Sequence, residues 1–367
     1  MQASPLPPAS ETSSIVDALL AFMARDSCTD QEFDALALRL HEHQYAHNEA
    51  FRRFCQGRGA TPRKVRSWRD IPAVPINAFK ELTLTCEPAQ QAEAVFMTSG
   101  TTRGDVKGRH YHPTLAVYDD SMCRNFARRF MQGTPRLRMG ILFPDETVMP
   151  NSSLAHYLAL AVRHFGGEHS RYFVGAQGLD SAAFHETLRS VERSGEPFAL
   201  LGASYSFVHL IDELRERGES FALPAGSRIL DTGGYKGHSR ELPMEEFYAS
   251  LSARFGVPRE QCINMYGMTE LSTQFYDETM RVGQRTDVKR SSPWARVRVI
   301  DPQTDEEAQP GVPGLFRIYD LANLWSVTCI QTDDLGVREG DGFVLFGRAP
   351  GATPRGCSLN AEAMVTA

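Results

Sequence analysis

The 367-residue sequence lacks the patterns that mark several common protein classes. Its seven cysteines contain no CxxC pair and are odd in number, which argues against a disulfide framework or a structural metal site. No apolar run approaches the roughly 20 residues that span a bilayer, and the proline-rich start has no apolar signal core. The net charge is −6 and no basic stripe is present, so a nucleic-acid partner is not expected. These absences predict a cytoplasmic protein without a membrane span.

Helical periodicity begins near the N-terminus. Residues 14–25 and 30–53 repeat apolar positions at helical spacing, and Thr29 or Asp30 is suited to cap the second helix. Residues 68–81 contain two prolines and predict a loop that leads into the core. We therefore expect residues 1–90 to form a leader and a helical layer packed on the core.

Short apolar runs alternate with helical patterns from residue 94 onward, beginning with AVFM and ending with CINMYG. This alternation is typical of βαβ units and predicts an α/β fold with a mainly parallel sheet. After Gln284 the helical patterns stop, and runs such as ARVRVI and FVLFG predict a smaller antiparallel or barrel-like layer. We expect a core domain over residues 91–348 and a short tail over residues 349–367.

A run of small hydroxyl and glycine residues follows the strand AVFM and precedes a predicted helix. It reads Thr98-Ser-Gly-Thr-Thr-Arg-Gly-Asp-Val-Lys107-Gly108 and fits neither GxxxxGK[ST] nor GxGxxG. Such residues let backbone N–H groups approach phosphate oxygens, while hydroxyls and a lysine add donors and charge. The run predicts a phosphate loop, whose candidate residues are Thr98, Ser99, Gly100, Thr101, Thr102 and Lys107. A flexible polar turn is the alternative.

Three later motifs also follow apolar runs. In Tyr266-Gly267-Met-Thr269-Glu270, the aromatic ring can stack on a purine, the threonine can reach phosphate and the glutamate can hold Mg²⁺. The turn Asp231-Thr-Gly233-Gly234-Tyr-Lys236 permits close approach of a ligand to the backbone, although it also suits an ordinary turn between a strand and a helix. Asp334 can accept hydrogen bonds from ribose, and Arg348 follows in Phe-Gly-Arg.

In this order and spacing the motifs resemble the adenylate-forming superfamily of acyl-CoA ligases, adenylation domains and beetle luciferases, from about Ile71 to the C-terminus. The resemblance implies ATP and Mg²⁺ as cofactors, formation of an acyl-AMP from a carboxylic acid, and the fold of the superfamily's large N-terminal domain. It places the triphosphate at residues 98–102, adenine near Tyr266, phosphate at Thr269, Mg²⁺ at Glu270 and ribose at Asp334. The usual mobile C-terminal domain is expected to be largely absent, because only nineteen residues follow Arg348.

The C-terminal segment Thr353-Pro-Arg-Gly-Cys357 resembles the acyl-protein synthetases of bacterial fatty acid reductase complexes, also called long-chain-fatty-acid–luciferin-component ligases. Ile71-Pro-Ala-Val-Pro and the Gly-Gly-Tyr-Lys turn are shared with that family. The resemblance implies that a fatty acyl group moves from AMP to Cys357 and then to a partner acyl reductase. Arg355 would favour the thiolate of this cysteine.

Several alternatives remain at this point. A free-standing ligase that loads coenzyme A or a carrier protein would not need Cys357, and a weakly active nucleotide-binding subunit would not need catalysis. Lys236 or Lys107 is a candidate to replace the lysine of the missing domain, and either is equally suited to be a solvated surface residue. His112 and His156 are candidates to close a carboxylate pocket, although a hydrogen-bonded core role suits both.

Overall fold

The structure is a computed structural model, and its main feature is a twelve-stranded sheet. The described residues are 11–98, 106–233, 239–284 and 286–348. Their helices are α1 (Glu11–Met23), α2 (Asp30–His47), α3 (Glu49–Gly57), α4 (Ala78–Glu81), α5 (Ala116–Phe126), α6 (Ser153–Phe165), α7 (Ser181–Ser194), α8 (Ser204–Glu216), α9 (Met244–Phe255) and α10 (Thr279–Val282). None of the helices in these ranges combines the length and the apolar character needed to cross a membrane.

The described residues contain sixteen strands, eight in each half of the series. The first half holds β1 (Val74–Pro75), β2 (Ala94–Met97), β3 (Arg109–His112), β4 (Arg138–Leu142), β5 (Arg171–Tyr172), β6 (Val174–Gly175), β7 (Gly178–Leu179) and β8 (Phe198–Ala203). The second half holds β9 (Arg228–Thr232), β10 (Cys262–Tyr266), β11 (Phe275–Asp277), β12 (Lys289–Arg290), β13 (Ala295–Ile300), β14 (Gly314–Asp320), β15 (Cys329–Glu339) and β16 (Gly342–Arg348).

The main sheet has a parallel part and an antiparallel part. Strands β5, β4, β8, β9 and β10 lie side by side in parallel, with α5 and α6 on one face and α7, α8 and α9 on the other. Every residue of β8 is buried, as expected for a parallel strand covered on both faces. The predicted α/β fold with a mainly parallel sheet is confirmed.

The later strands are antiparallel, as predicted, but they do not form a separate layer. Strand β11 pairs with β10, β12 pairs with β11, and β16, β15, β14 and β13 follow in that order. The short strands β11 and β12 thus extend the parallel part directly into the antiparallel part. Strand β1 adds to β15 in parallel, with Val74 opposite Ile330.

The strand before the predicted phosphate loop lies outside the main sheet. Strand β2 forms a two-stranded antiparallel sheet with β3, in which Val95 lies opposite Tyr111. The predicted order of strand, loop and helix is found, with α5 beginning at Ala116, but a second strand that was not predicted, β3, lies between the loop and the helix. Strand β3 was not predicted because its sequence, Arg-His-Tyr-His, is polar, although its last three residues are buried.

The N-terminal helices pack against the strands near the C-terminus. Thr29 caps α2 in a capping box with Glu32, whereas Asn48 ends α2 and caps α3, so the single helix predicted over residues 30–53 is two helices. The buried Gln44 donates to the carbonyls of Asn323 and Leu324 and accepts from the backbone N–H of Thr328. This layer therefore depends on residues nearly 280 positions away.

Candidate active site

The two ends of the predicted phosphate loop are joined by a reciprocal pair of hydrogen bonds. The N–H of Gly108 donates to Thr98 Oγ1 at 2.9 Å, and the N–H of Thr98 donates to the Gly108 carbonyl at 3.0 Å. A side-chain carbon on Gly108 would lie 3.1 Å from Thr98 Cγ2 and 3.3 Å from Glu270 Oε1. A side chain at position 108 would therefore crowd both residues, and the base of the loop lies close to the carboxylate of Glu270.

Thr269 and Glu270 lie in the turn between β10 and β11. Thr269 is half-buried and Glu270 is 5% exposed. His110 on β3 lies against this turn, with Nδ1 3.0 Å from the Thr269 carbonyl and Nε2 3.0 Å from Ser326 Oγ. The Nδ1 atom must carry the proton, because a carbonyl oxygen can only accept. The strand that follows the loop thereby fixes the backbone that presents Thr269 and Glu270.

Burial makes the contribution of His110 to the stability of the fold depend on pH. Burial lowers the pKa of His110 to about 4, against the raising effect of its contact with Thr269. The lowered value means that the neutral ring stabilises the fold above pH 6.5, and that this contribution is lost as the pH falls towards 4.

We expect this loss to be measurable as unfolding free energy. The His110 contribution should fall by about 2 kcal/mol at pH 5 and about 3 kcal/mol near pH 4. Urea denaturation at pH 7, 6, 5 and 4.5 measures the effect in wild type and in His110→Asn, whose amide can still donate to Thr269. The difference between the two proteins should shrink as the pH falls. A difference that does not vary with pH would show that His110 does not titrate in this way.

Tyr266 and Asp334 join the parallel and antiparallel parts of the sheet. The Tyr266 hydroxyl donates to Asp334 Oδ2 at 2.7 Å, and Arg348 Nε lies 4.0 Å from Asp334 Oδ1. Asp334 on β15 lies directly opposite Arg348 on β16. Burial raises the pKa of Tyr266 well above its usual value, with further contributions from Asp334 and Glu270. The phenol therefore stays protonated and donates to the carboxylate of Asp334.

The ring of Tyr266 packs among aromatic side chains. Its centroid lies 6.0 to 6.2 Å from those of Phe275, Phe316 and Phe343, and the residue is 7% exposed. This packing fixes the ring and leaves little of it open. Its place beside adenine stays a prediction.

The turn after β9 is held by Ser204 at the start of α8. The Ser204 hydroxyl lies 2.8 Å from Asp231 Oδ2 and 3.1 Å from the carbonyls of Thr232 and Gly233. Gly233 has a φ of +75°, a conformation that favours glycine, and an added side-chain carbon there would meet no atom of the described residues within 4 Å. Close approach of a ligand to this turn stays a prediction.

Several predicted residues lie outside the described part of the chain: Ser99, Gly100, Thr101, Thr102, Gly234, Lys236 and Cys357. Their roles stay predictions. Lys107 is described and exposed, one position before Gly108, and Gly267 is half-buried in the turn with Thr269. The structure thus brings together Thr98, Thr269 and Glu270 in one group. Tyr266, Asp334 and Arg348 form a second group. The two groups are close enough for the charge of Glu270 to help raise the pKa of Tyr266.

The two histidines proposed for a carboxylate pocket, His112 on β3 and His156 on α6, are buried and pack against Phe96. His112 packs 4.2 Å from His110 and 5.0 Å from Phe96 between ring centroids, and its Nε2 has no hydrogen-bond partner among the described residues. His156 is held between Asp119 and Glu146 at 2.8 and 2.6 Å. Burial opposes the charge on His156, but these two carboxylates raise its pKa. Its ring nitrogens are thus engaged in an ion cluster.

Magnesium fits this site through one protein carboxylate. Among the described residues, no three His, Cys, Asp or Glu side chains come together as a metal cage. Magnesium that is bound with nucleotide phosphates needs only one or two carboxylates and keeps several water ligands. Glu270, which points at the closed base of the phosphate loop, satisfies that requirement.

Sequence reasoning missed three buried residues near the site, namely His110, Asp320 and Asn323. His110 belongs to a short strand that looked polar, whereas Asp320 ends β14 and Asn323 follows it in Tyr-Asp-Leu-Ala-Asn. An acidic residue at the end of an apolar strand was the available signal for Asp320, because buried carboxylates need partners.

Comparison with solved structures agrees with this architecture. The structure of 2-hydroxyisobutyryl-CoA ligase in its postadenylation state, in complex with R3-HIB-AMP, is 14% identical, with a TM-score of 0.61 over 94% of this chain and 72% of that chain. ATP-bound MatB from Rhodopseudomonas palustris is 17% identical, with a TM-score of 0.51 over 71% of this chain. The chain spans about half the length of MatB, 49%. These likenesses establish the fold of the large domain of adenylate-forming enzymes.

Sequence comparison extends over nearly the whole chain. The long-chain-fatty-acid–luciferin-component ligase of Vibrio harveyi is 24% identical over 352 residues, which cover 92% of this chain and 90% of that protein. Residues 12–366 match the family described as acyl-protein synthetase, LuxE. The resemblance drawn from the motifs is confirmed, and the chain belongs to the LuxE acyl-protein synthetase family.

Proposed function

We propose that the chain uses ATP to convert a fatty acid to acyl-AMP and then transfers the acyl group to its own Cys357. The acyl group then passes to a thiol of a partner acyl reductase. The observation that carries the proposal is the meeting of Thr98, Gly108 and Glu270 at the base of the loop, next to the Tyr266–Asp334 pair. Family membership and the ligase from Vibrio harveyi support the same chemistry.

In the first step a carboxylate oxygen attacks the α-phosphorus of ATP. An oxygen–phosphorus bond forms, the bond between the α- and β-phosphates breaks, and pyrophosphate leaves. Backbone N–H groups of the loop and the hydroxyls of Thr98 and Thr269 are suited to bind phosphate oxygens, while Asp334 is suited to bind ribose. A Mg²⁺ ion at Glu270 would neutralise phosphate charge as the α–β bond breaks.

In the second step the thiolate of Cys357 attacks the acyl carbonyl, a thioester forms, and AMP leaves with the bonding electron pair. Cys357 lies nine positions after Arg348, and nine extended residues span at most about 30 Å. Arg348 lies beside Asp334, which contacts Tyr266. The tail therefore begins at the proposed ribose site, and its length is sufficient for Cys357 to reach an adenylate bound there.

The other six cysteines are poorly suited to accept an acyl group. Burial raises the pKa of Cys55, Cys262 and Cys329 to about 12, and raises that of Cys86 further. Burial and two nearby aspartates raise the pKa of Cys123 to about 11. Cys28 is half-buried, and its thiol donates to the carbonyl of Pro293 at 3.1 Å. Because the thiolate is the nucleophile, these environments favour Cys357 as the acceptor.

The first step is tested by exchange of labelled pyrophosphate into ATP. We expect exchange that requires a long-chain fatty acid and Mg²⁺, and that is unchanged in Cys357→Ala, because thioester formation follows adenylation. A panel of short, long and aryl acids identifies the substrate class. If none of the acids in the panel supported exchange, the proposal would be refuted. Release of pyrophosphate only when coenzyme A is present would favour the free-standing ligase.

A further inference from the structure

The turn that carries Glu270 is held by a fully buried carboxylate on a distant strand. Asp320, the last residue of β14, is 0% exposed. Its Oδ2 accepts from the backbone N–H of Ser272 at 3.0 Å and of Thr273 at 2.8 Å. Its Oδ1 accepts from the Thr273 hydroxyl at 2.7 Å and from the N–H of Ala322 at 3.0 Å. Both oxygens are thus committed to backbone or hydroxyl donors, and three of the four donors belong to the turn.

Asn323 extends the same contact to Glu270 itself. Its amide nitrogen donates to the Glu270 carbonyl at 2.9 Å, and its amide oxygen accepts from the N–H of Ser272 at 2.8 Å. The residue is 1% exposed. Residues 270, 272 and 273 are therefore all tied to the loop between β14 and β15 by side chains that are closed to water.

The hydroxyl of Thr273 connects this arrangement to α5. Trp294 Nε1 lies 3.0 Å from Thr273 Oγ1 and 3.0 Å from Ser121 Oγ, and the two hydroxyls are 3.1 Å apart. All three residues are buried. The donors and acceptors form a closed network in which the Asp320 carboxylate is the acceptor with the most contacts.

We infer that Asp320 and Asn323 are positioning residues for Glu270, which set the place of its carboxylate for MgATP without touching the nucleotide. This inference rests on the proposed function. Partners that orient a metal ligand typically change metal affinity 10- to 100-fold when they are removed. In Asp320→Asn, an amide group replaces one acceptor oxygen and meets N–H donors, so part of the turn loses its partner.

The test compares the dissociation constants for ATP in EDTA and for MgATP. Their ratio reports how strongly Mg²⁺ is coupled to nucleotide binding. We expect the ratio to fall about tenfold in Asp320→Asn. In Asn323→Ala it should fall less, because Ser272 keeps its bond to Asp320 and, within the turn, only the Glu270 carbonyl loses its donor. Hydrogen exchange of the peptide covering residues 268–274 should be faster in both variants.

Asp277→Asn is the matched control. Asp277 is 2% exposed and also accepts two backbone N–H groups, from Asn264 and Thr279, but makes no contact with Asp320 or Asn323 among the described hydrogen bonds. This variant should unfold at a lower temperature and keep the wild-type ratio. A ratio that falls equally in Asp277→Asn, or that stays at the wild-type value in both Asp320→Asn and Asn323→Ala, would overturn the inference.

The two proposals fail in different ways. A wild-type protein that binds MgATP but shows no acid-dependent pyrophosphate exchange would refute the proposed function, and the ratio would still decide the role of Asp320. Wild-type exchange with an unchanged ratio in both Asp320→Asn and Asn323→Ala would refute the positioning role alone. If wild-type protein bound ATP equally with and without Mg²⁺, a positioning role towards the metal would also be refuted.

Discussion

Cys357→Ala protein is expected to gain no acyl mass after incubation with ATP, Mg²⁺ and the fatty acid that supports exchange. Wild type should gain the mass of one fatty acid less one water, and neutral hydroxylamine should remove the adduct, because a thioester forms on a single thiol. The loss in the variant should be complete, since the remaining cysteines that are described are buried or half-buried. Intact-protein mass spectrometry measures both outcomes.

Cys28→Ala is the matched control for this experiment. Of the six described cysteines, Cys28 and Cys123 are the half-buried ones, and Cys28 alone has a guanidinium nitrogen within 3.2 Å of its sulfur. It should acquire the wild-type adduct. An adduct that persists in Cys357→Ala and disappears in Cys28→Ala would identify Cys28 as the acceptor and contradict the proposed second step.

Glu270→Gln should reduce the rate of pyrophosphate exchange by about 10²-fold, which corresponds to about 3 kcal/mol of transition-state stabilisation. The amide keeps the shape of the side chain but removes the charge that would hold Mg²⁺ at the base of the loop. The Mg²⁺ concentration that gives half-maximal exchange should rise as well. Exchange rates measured over a Mg²⁺ series at saturating ATP separate the two effects.

Glu278→Gln serves as the comparison for Glu270→Gln. Glu278 is 7% exposed and binds Arg129, Arg281 and Arg290, so its replacement removes a buried charge away from the loop. This variant should be less stable but should exchange pyrophosphate within about twofold of wild type per folded molecule. An equal loss of exchange in both variants, with an unaltered Mg²⁺ requirement, would argue against a metal-binding role for Glu270.

The fold was largely predictable because its signals are local. Alternating apolar runs and helical patterns predicted the parallel part, and the last of these runs, CINMYG, contains β10 (Cys262–Tyr266). The hairpin of β2 and β3 was missed because histidines that are buried against aromatic rings look polar in a sequence. The continuity of the main sheet was missed because β11 and β12 are too short to give a periodic pattern.

The site was predictable only where a motif marks it. Tyr266, Glu270 and Asp334 were found because each belongs to a short run with recognisable chemistry, but no pattern indicated that Tyr266 donates to Asp334 across 68 positions. Asp320 and Asn323 act on a turn 47 to 53 positions away. Sequence periodicity carries no information on such pairs, because they arise from the pairing of distant strands.

The contacts of Gln44 affect how the chain can fold during translation. Its partners, residues 323–328, are synthesised about 280 residues later, and β1 must likewise wait for β15. During translation the N-terminal helices emerge with an apolar face and buried polar groups that lack their final partners, and pairings this distant in sequence form slowly. We expect ribosome-bound chains that end before residue 320 to be protease-sensitive at α2 and α3, and to depend on chaperones until the last strands emerge.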